Sequence, residues 1–420
     1  MKKNLSHIKK TALVSALLLE MTAIHAATTI NVDGTTCTLA DAITAANTDT
    51  ATGGCTAGAY DDVLELDIAG SPFTQTAQLP IITSNVTING NGSVVARDLA
   101  SPEFPVVYID GGNAVLNDLT ITGGSATNTA TNYGGGVVVQ PASAVEINNS
   151  IISGNNGGAV WLYNTTGSSI NNSVIENNTS NPGRYYTGGV SINGGYLDIN
   201  NSTITGNNNV ATGAGGGGLY VTDYGAATTV GVSNSTISGN TAAFSGGGIA
   251  TASFGSGIEL NLNSATVTLN STSGNGGGIH NNGGDVAVSQ SLLSGNTAAA
   301  ANQWEATGGA YITVDSYNIF GESSVSGLVG VTPGGTDVTP TEAVADIFDT
   351  TLADNGGPTP THALVVSGPA VDAIPGGNCL MSTDQTGKSR PQDGDGDLTA
   401  DCDVGAFEND VFDLIFKDGF

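Results

Sequence analysis

The stretch NSIISGN, residues 149–155, returns as NSTITGN at residues 201–207 and as NSTISGN at residues 234–240. Less regular copies begin at Asn172, Asn263 and Gln290, so that the motif serines fall at positions 150, 173, 202, 235, 264 and 291. Successive serines are therefore 23 to 33 residues apart. A repeat of this length predicts stacked structural units instead of several independent domains.

The segments on either side of the motif recur with it. A short alternating strand precedes most copies, as in VEI (145–147), LDI (197–199), VGV (230–232) and VAV (286–288). A glycine cluster followed by an aliphatic residue comes after the copies, as in GGV (188–190), GGL (217–219) and GGGI (246–249 and 276–279). Each repeat thus holds three short β segments and no helical periodicity.

The order of these segments predicts how the chain turns. Val230 and Val232 alternate onto one face, but Ile237 is out of phase with them by one residue. A corner at the Asn-Ser pair restores the inward direction, because Asn and Gly accept the left-handed backbone of such corners. Three strands per turn, stacked at about 4.8 Å, form a coil. We therefore predict an all-β fold, a right-handed single-stranded parallel β-helix like that of the pectate lyases. A β-sandwich does not explain the repeated three-part order.

The charge of the chain excludes several partners. The 420 residues include 9 Lys or Arg against 37 Asp or Glu. Nucleic-acid binding requires a basic face that this chain cannot build.

Residues 1–26 are predicted to be a secretory signal, with four lysines ahead of a short apolar run and Ala26 at the cleavage point. No later segment has the length and apolar character of a transmembrane helix.

The four cysteines favour an oxidising compartment. Cys37 lies near Cys55, and Cys379 lies near Cys402. Of the three ways to pair them, the local pairing 37–55 and 379–402 is predicted. A metal site is the alternative, but the spacings do not match those of zinc ligands.

Residues 37–47, CTLADAITAAN, predict a short helix over the first coil, with Leu39, Ile43 and Ala46 on one face and a capping box from Thr38 to Asp41. The segment resembles the CSLREA motif of secreted bacterial repeat proteins. Ala40 and Asp41 stand where that motif has Arg and Glu.

The carboxyl-terminal part carries a second resemblance. LADNGGPTPTHAL (352–364), GPAVDA (368–373), RP (390–391) and CDVGAFE (402–408) are similar to the choice-of-anchor Q domain. The glycine-rich coils are similar to the repeats of polymorphic outer-membrane proteins. These resemblances imply a β-helix displayed at the cell surface or released from it, and they imply no reaction.

The predicted organisation has five segments. They are a signal peptide (1–26), an amino-terminal cap with the CSLREA-like segment (27–80), the β-helix repeats (81–330), the choice-of-anchor Q-like region as an irregular carboxyl-terminal cap (331–408) and a short tail (409–420).

The sequence argues against a catalytic site. A polyuronate lyase needs cationic groups, and only Arg97 and Arg184 are basic within the coils. A glycosidase needs two carboxylates about 5 to 9 Å apart. Glu146 and Asp198 share a repeat position and are the candidates, but outward solvated carboxylates are the simpler interpretation. His280 is expected to point outward without a role.

Aromatic residues suggest a binding surface for a neutral glycan. Trp161, Tyr163, Tyr185 and Tyr186 are the predicted stacking residues. Tyr196, Tyr220 and Tyr224 belong to the same set on adjacent coils. Packing of exposed loops is the alternative explanation.

One acidic stretch resembles the start of a calcium loop. Asp393, Asp395, Asp397 and Asp401 provide closely spaced carboxylates, although Leu398 stands where an EF-hand has Gly. The prediction is a Ca²⁺ site, with a solvated acidic loop as the alternative; no other cofactor is expected.

These observations together predict an exported bacterial protein, secreted or at the cell surface. It would act in display, adhesion or glycan binding without catalysis, as a monomer, with an extracellular polysaccharide or a cell-surface partner. The alternative function is a β-helix hydrolase or lyase that acts on an extracellular glycan.

Overall fold

The computed structural model describes residues 27–126, 134–182, 187–213, 215–309, 311–314 and 316–410. The predicted signal and residues 411–420 of the predicted tail lie outside these ranges. Within them, the solenoid strands pair in parallel with the equivalent strand one coil further along the chain. This is the three-sided parallel coil that the repeats predict.

Each coil has three faces, named here in the order in which a repeat reaches them after its glycine cluster. Two long strands, Val160–Asn171 and Val190–Asn200, bend from the first face to the second. Two others, Asn85–Arg97 and Asn113–Thr122, bend from the second to the third.

Short strands complete the faces. The first face has Val107–Ile109, Val137–Val139, Leu219–Thr222, Ile249–Ala252, Ile279–Asn282, Trp304–Thr307 and Leu328–Val329. The second has Thr28–Val32, Asp61–Leu66, Ala144–Asn148, Thr228–Ser233, Ile258–Asn263, Asp285–Ser289 and Tyr311–Thr313. The third has Phe73–Gln75, Ile151–Ser153, Val174–Glu176, Thr203–Thr205, Thr236–Ser238, Thr266–Thr268, Leu292–Ser294 and Ile319–Phe320. A small separate sheet has Asn208–Asn209, Thr241–Ala242 and Ser271–Thr272.

The remaining elements are short. The α-helix is Leu39–Thr48, and 3₁₀ turns occur at Ile68–Gly70, Val344–Asp346 and Gly376–Asn378. Parallel pairing already begins at Thr28–Val32, which pairs with Asp61–Leu66. The first two second-face strands therefore lie inside the segment predicted as the amino-terminal cap.

The core runs along the inside of the coil as stacked aliphatic columns. On the third face, one column places equivalent residues of successive coils in register, each fully buried: Ile152, Ile175, Ile204, Ile237, Val267 and Leu293. Because every coil adds one residue to each column, burial grows in proportion to the number of coils.

The predicted corner is confirmed. Asn149, Asn172, Asn201 and Asn234 all have a left-handed backbone, with φ between 46° and 49°. One copy of the motif, however, begins one residue later than predicted. Ser264 occupies the left-handed position, with φ 48°, because Asn263 pairs with Ser233. The predicted motif serine of this coil is thus wrong, since Ala265 stands at the serine position.

Buried asparagines form a hydrogen-bonded ladder at the corner that follows the third-face strand in successive coils. In the first five members, the side-chain amide donates to the amide oxygen of the asparagine on the next coil at 2.9 to 3.0 Å. The last member, Asn296, donates to Gln303 Oε1. The side-chain oxygen also accepts a hydrogen bond from the backbone N–H of the asparagine one coil earlier. For example, Asn178 N–H donates to Asn207 Oδ1. The members of this ladder are Asn155, Asn178, Asn207, Asn240, Asn270 and Asn296, each at most 2% exposed. The ladder satisfies corner peptide groups that the strands leave unpaired.

The predicted amino-terminal helix is confirmed. Thr38 caps it by accepting a hydrogen bond from Asp41 N–H, and Leu39, Ile43 and Ala46 are buried. Asn47 at its end binds both the carbonyl of Ile81 and the N–H of Thr83. These bonds fix the helix to the first complete coil.

The carboxyl-terminal region lies along the side of the solenoid. Its described residues cover the third face from Thr203 to Gln290, where hydroxyl groups point outward. Thr203 donates to the carbonyl of Pro360, and Thr236 donates to Gln385. Ser238 Oγ lies 2.7 Å from His362 Nε2, and burial lowers the pKa of this histidine. A face that would otherwise meet water is therefore sealed by polar contacts.

Both predicted disulfides are confirmed. Cys37–Cys55 encloses the amino-terminal helix, and Cys379–Cys402 lies in the carboxyl-terminal region.

The carboxyl-terminal region is also held together by ionic contacts. Arg390 is buried, lies 3.4 Å from Glu408 Oε2 and donates to the carbonyl of Asp403. Burial raises the pKa of Asp403 to about 7 and that of Glu408 to about 8, and Arg390 opposes both shifts. Arg390 therefore offsets the desolvation of two acids at once.

Replacing Asn207 with Ala should weaken the fold, because the carbonyl of Ile175 and the N–H of Asn178 lose their partners. Two unsatisfied buried groups are expected to cost about 3 kcal/mol. Urea denaturation followed by circular dichroism measures this loss. Asn171→Ala is the matched control: it removes a half-exposed asparagine of an outward ladder and should cost less than about 1 kcal/mol. Equal losses in the two variants would contradict the role of the buried ladder.

Replacing Arg390 with Met should destabilise the carboxyl-terminal region by about 3–5 kcal/mol, since two buried acids lose their counter-charge. Limited proteolysis should then cut the region while the coils stay intact. Lys388→Met is the control: it removes a half-buried cation of the same region, whose Nζ lies 5.7 Å from the centroid of the Phe407 ring. Resistance to proteolysis equal to that of the unmodified protein would show that Arg390 has no such role.

Candidate ligand-binding groove

Two outward columns form the surface of the first face. One column runs from Trp161 through Ser191 and Tyr220 to Ala250, His280 and Glu305. The second lies two residues later in each strand, at Tyr163, Asn193, Thr222, Ala252 and Asn282. Residues from different coils therefore become direct neighbours at a spacing of about 4.8 Å.

These columns are the floor of a groove with two compartments. The first compartment has a volume of about 510 Å³ and is lined by Trp161, Ser191, Ile192, Asn193, Gly213, Tyr220, Thr222, Tyr224 and Phe254. The second has about 170 Å³ and extends toward His280 and Asn282. Gly213, Tyr220 and Phe254 line both compartments, so the two are continuous.

Aromatic side chains form much of the wall. Tyr224 and Phe254 meet edge to face with ring centroids 5.7 Å apart, and they are 65% and 63% exposed. Trp161 is almost buried on the floor, where its ring centroid lies 5.5 Å from that of Tyr163. Two exposed aromatic rings at a groove rim are costly in water and are typical of binding surfaces.

The loop that carries Phe254 is fixed by Asp223. The Asp223 carboxylate accepts hydrogen bonds from Ser253 Oγ at 2.9 Å, from Gly257 N–H at 2.6 Å and from Phe254 N–H. Burial opposes ionisation of Asp223, but these hydrogen bonds outweigh it and lower its pKa. The backbone that carries the Phe254 ring is thus held in one conformation by Asp223.

The structure brings together part of the predicted aromatic set. Trp161, Tyr220 and Tyr224 line the first compartment, and Tyr163 lies beside Trp161. Tyr185 and Tyr186 lie outside the described residues. Tyr196 is elsewhere, 42% exposed, and donates to Asp198 at 2.6 Å. Sequence reasoning missed Phe244 and Phe254, although both follow shortly after the repeat elements that place them.

The candidate pair of catalytic carboxylates is not in this groove. Glu146 and Asp198 lie on the second face, and Ser169 of the intervening coil separates them. Two coil steps put them roughly 10 Å apart, beyond the usual glycosidase range. None of the described residues that line the first compartment carries a carboxylate.

His280 points outward, as expected, but it has a partner. Its Nε2 lies 3.2 Å from Glu305 Oε2 on the next coil. Glu305 is 8% exposed, and its Oε1 accepts a hydrogen bond from Asn275 at 2.9 Å. Burial lowers the pKa of His280, and the charge of Glu305 opposes this shift. The imidazole is therefore neutral at neutral pH.

Comparison with known proteins now assigns the fold. Residues 81–298, more than half of the chain, match the family described as right-handed β-helix region. The chain belongs to this family. No curated protein and no solved structure gave a match. The handedness predicted from the repeats is thereby confirmed, and the groove is a feature of one face of a right-handed β-helix.

No helix in the described part of this β-helix protein has the length and apolar character that crossing a bilayer requires.

The predicted metal ligands separate into two groups in the β-helix protein. Asp393 and Asp395 meet Asp372, with ligand atoms within 4.8 Å of one another, the only such cluster among the described residues. Asp397 and Asp401 instead accept N–H groups of Thr399 and Gly376. Asp372 is the ligand candidate that sequence spacing missed.

The chemistry of this cluster suits a hard cation only in part. Burial raises the pKa of Asp372 to about 6, with further contributions from Asp395 and Asp393. A bound Ca²⁺ would relieve this repulsion. However, Asp372 also accepts hydrogen bonds from Gly394 and Asp395 N–H, which use some of its lone pairs. A calcium site therefore stays a prediction, with the hydrogen-bonded acidic loop as its alternative.

Calcium should raise the melting temperature if the cluster binds it, since a ligand at one hundred times its Kd stabilises a fold by about 2.7 kcal/mol. Differential scanning fluorimetry with Ca²⁺, and with Mg²⁺ for comparison, measures the shift. Asp372→Asn should abolish it, whereas Asp397→Asn, outside the cluster, should leave it unchanged. No shift together with no calorimetric heat would leave the solvated acidic loop as the explanation.

Proposed function

We propose that this right-handed β-helix is an exported protein that binds an extracellular glycan in its first-face groove and performs no catalysis there. The observation that carries the proposal is the lining of the first compartment. Aromatic rings lie beside neutral hydrogen-bonding groups, with no carboxylate among the described lining residues.

The lining matches the chemistry of an uncharged sugar. Pyranose rings present C–H faces that pack on aromatic rings, and their hydroxyls need neutral donors and acceptors. Ser191, Asn193 and Thr222 supply such groups between the rings. Asn193 Oδ1 is buried and accepts no hydrogen bond from any residue that the structure describes. A ligand donor at this point would satisfy an acceptor that otherwise costs stability.

The charge of the chain favours a neutral glycan over a polyanionic one. The formal net charge is −28, and Arg97 is the one basic residue among the described residues of the coils. Arg97 is buried, and its guanidinium donates to backbone carbonyls of Gly123 and Ser101. Arg184 lies outside the described residues. An acidic polysaccharide would therefore meet electrostatic repulsion without compensation.

Hydrolysis is the alternative function, and it has less support. The outward acids Glu146 and Asp198 are too far apart and lie on another face than the aromatic groove. Two acids lie beside the groove among the described residues. Glu305 is engaged by His280 and Asn275, and Asp223 is engaged by the loop that carries Phe254. Carboxylates engaged in this way do not supply the acid and the base that glycoside hydrolysis requires.

Export and surface display are part of the proposal. Two disulfides are stable in oxidising compartments outside the cytoplasm. Residues 1–26 have the composition of a secretory signal, and the CSLREA-like and choice-of-anchor Q-like segments resemble those of secreted or surface proteins. The β-helix would present its groove to a polysaccharide or to a neighbouring cell.

Removing a groove ring should weaken glycan binding. Tyr224→Ala and Trp161→Ala are each expected to reduce the affinity for a neutral oligosaccharide about five- to tenfold, because each aromatic contact contributes about 1 kcal/mol. An array of neutral glycans identifies the ligand, and calorimetry with product analysis then measures affinity and any cleavage.

Tyr196→Ala is the matched control for this experiment. It removes an exposed tyrosine of the second face and should leave affinity unchanged. Melting temperatures of the three variants separate lost binding from lost fold, which matters most for the buried Trp161. Unaltered affinity in folded Trp161→Ala and Tyr224→Ala would exclude the groove as the binding site. Cleaved products would favour the hydrolase.

A further inference from the structure

The second compartment differs in chemistry from the first. Its floor contains two small apolar side chains, the nearly buried Ala250 and the half-exposed Ala252, and its walls include Phe244 and Phe254. The polar groups on its floor are His280 and Asn282, which follow Ala250 and Ala252 in register on the next coil. The volume of about 170 Å³ is on the scale of one sugar unit. A ligand that fills a compartment with small apolar surfaces and a heterocyclic nitrogen needs an apolar group beside its hydrogen-bonding group, which a hydroxyl alone does not provide.

The tautomer of His280 follows from its partner. Glu305 Oε2 lies 3.2 Å from Nε2 of His280. An unprotonated Nε2 would set its lone pair against this carboxylate, so Nε2 carries the proton. In the neutral imidazole, Nδ1 is then an acceptor. No described residue hydrogen-bonds to this nitrogen. His280 thus offers the compartment a fixed acceptor, and Glu305 acts as the positioning residue that sets it.

An acetamido group matches this arrangement. Its N–H is a donor for Nδ1 of His280, its methyl group packs on the alanine floor, and its carbonyl lies within the same polar edge as Asn282. A hydroxyl in the same place would satisfy the nitrogen but leave the apolar floor uncovered. We propose that the second compartment binds the acetamido group of an N-acetylated amino sugar, so that the glycan recognised by the groove contains N-acetylhexosamine. This inference rests on the proposed function of the groove.

The groups around His280 imply a pH dependence. Glu305 of the next coil is the titratable group that faces it. Ala250 on the preceding coil, Phe244 on the wall and Asn275 beside Glu305 do not titrate. Burial raises the pKa of the Tyr220 phenol to about 12, so it stays protonated. Asp223 is engaged behind Phe254 by three hydrogen bonds.

The sign of the pH effect follows from the donor and acceptor roles. The acetamido N–H can only donate, so it binds neutral His280 and is repelled by the protonated ring, whose Nδ1 also donates. Because burial lowers the pKa of His280 below 6.5, the preference for the acetamido sugar should hold at neutral pH and decline below that value. A hydroxyl can either donate or accept, so its binding should change little over the same range.

The test compares two oligosaccharides that differ only at this group. Chitohexaose carries an acetamido group where cellohexaose carries a hydroxyl. Calorimetry on the folded protein at pH 7.5 should give at least tenfold tighter binding of chitohexaose, and at pH 5 the difference should shrink to about threefold or less.

Two variants separate recognition from folding. Ala252→Leu fills the half-exposed floor of the compartment. A double variant, His280→Phe with Glu305→Leu, removes both members of the buried pair together, which avoids leaving one of them unpaired. Each should abolish the preference for chitohexaose, so that the ratio of the two affinities falls to about one, and melting temperatures show that each variant is folded.

The outcomes distinguish this inference from the function on which it rests. Equal affinity of the unmodified protein for the two sugars, or a preference that survives Ala252→Leu, would overturn the acetamido site alone. A preference for glycans without acetamido groups would do the same. Failure of every neutral glycan to bind, in the unmodified protein and in Trp161→Ala alike, would overturn the groove and the inference together.

Discussion

The structure depends on how its corners satisfy their own backbone. A solenoid strand forms backbone hydrogen bonds with the coil before and the coil after it, but at a bend the peptide groups turn away from these hydrogen bonds. Buried asparagines provide the missing donors and acceptors from Asn155 to Asn296, each bonded to its equivalent one coil away. Because a side-chain amide donates and accepts at a fixed spacing, the ladder holds the coils from Asn155 to Asn296 in one register. The other columns of these coils follow the same register.

The same register produces the groove. Outward residues on the first face stack into two columns, so that side chains about 30 positions apart in sequence lie next to each other. Insertions leave the coil on both sides of the first-face strands, after the buried ladder and before the second face. These loops rise as walls, and the Asp223 carboxylate fixes one of them. The candidate binding surface is thereby built from loops of variable length on a frame of regular coils. Binding residues are commonly found on loops that a rigid scaffold positions.

The faces of the coil have separate tasks. The carboxyl-terminal region seals the third face through Thr203, Thr236 and Ser238, and Arg390 and a disulfide hold that region together. An outward asparagine ladder from Asn89 to Asn200 runs along the second face. The first face carries the aromatic groove. The proposed recognition of a neutral glycan, with an acetamido group beside His280, therefore concerns the face on which aromatic loops line a cavity of about 510 Å³.

The sequence by itself determined the coil. The repeat, the phase slip between Val232 and Ile237 and the Asn-Ser corner predicted stacked parallel strands, the left-handed residues and the amino-terminal helix. These features are local, because backbone conformation and side-chain direction depend on neighbours within a few positions. The one misplaced copy, at Ser264, arose because Asn263 imitates the motif one residue too early, and only strand pairing reveals the true alignment.

Only the tertiary structure decided which residues meet. Phe254 joins Tyr224 and Glu305 joins His280 from one coil to the next, but a repeat that varies from 23 to 33 residues does not predict which residues align. Asp372 joins Asp393 outside the repeats. Their contacts depend on the length of each inserted loop and on the path of the carboxyl-terminal region. The physical reason is that a coil fixes the distance between neighbours in space, about 4.8 Å, but leaves free the number of residues between them in sequence.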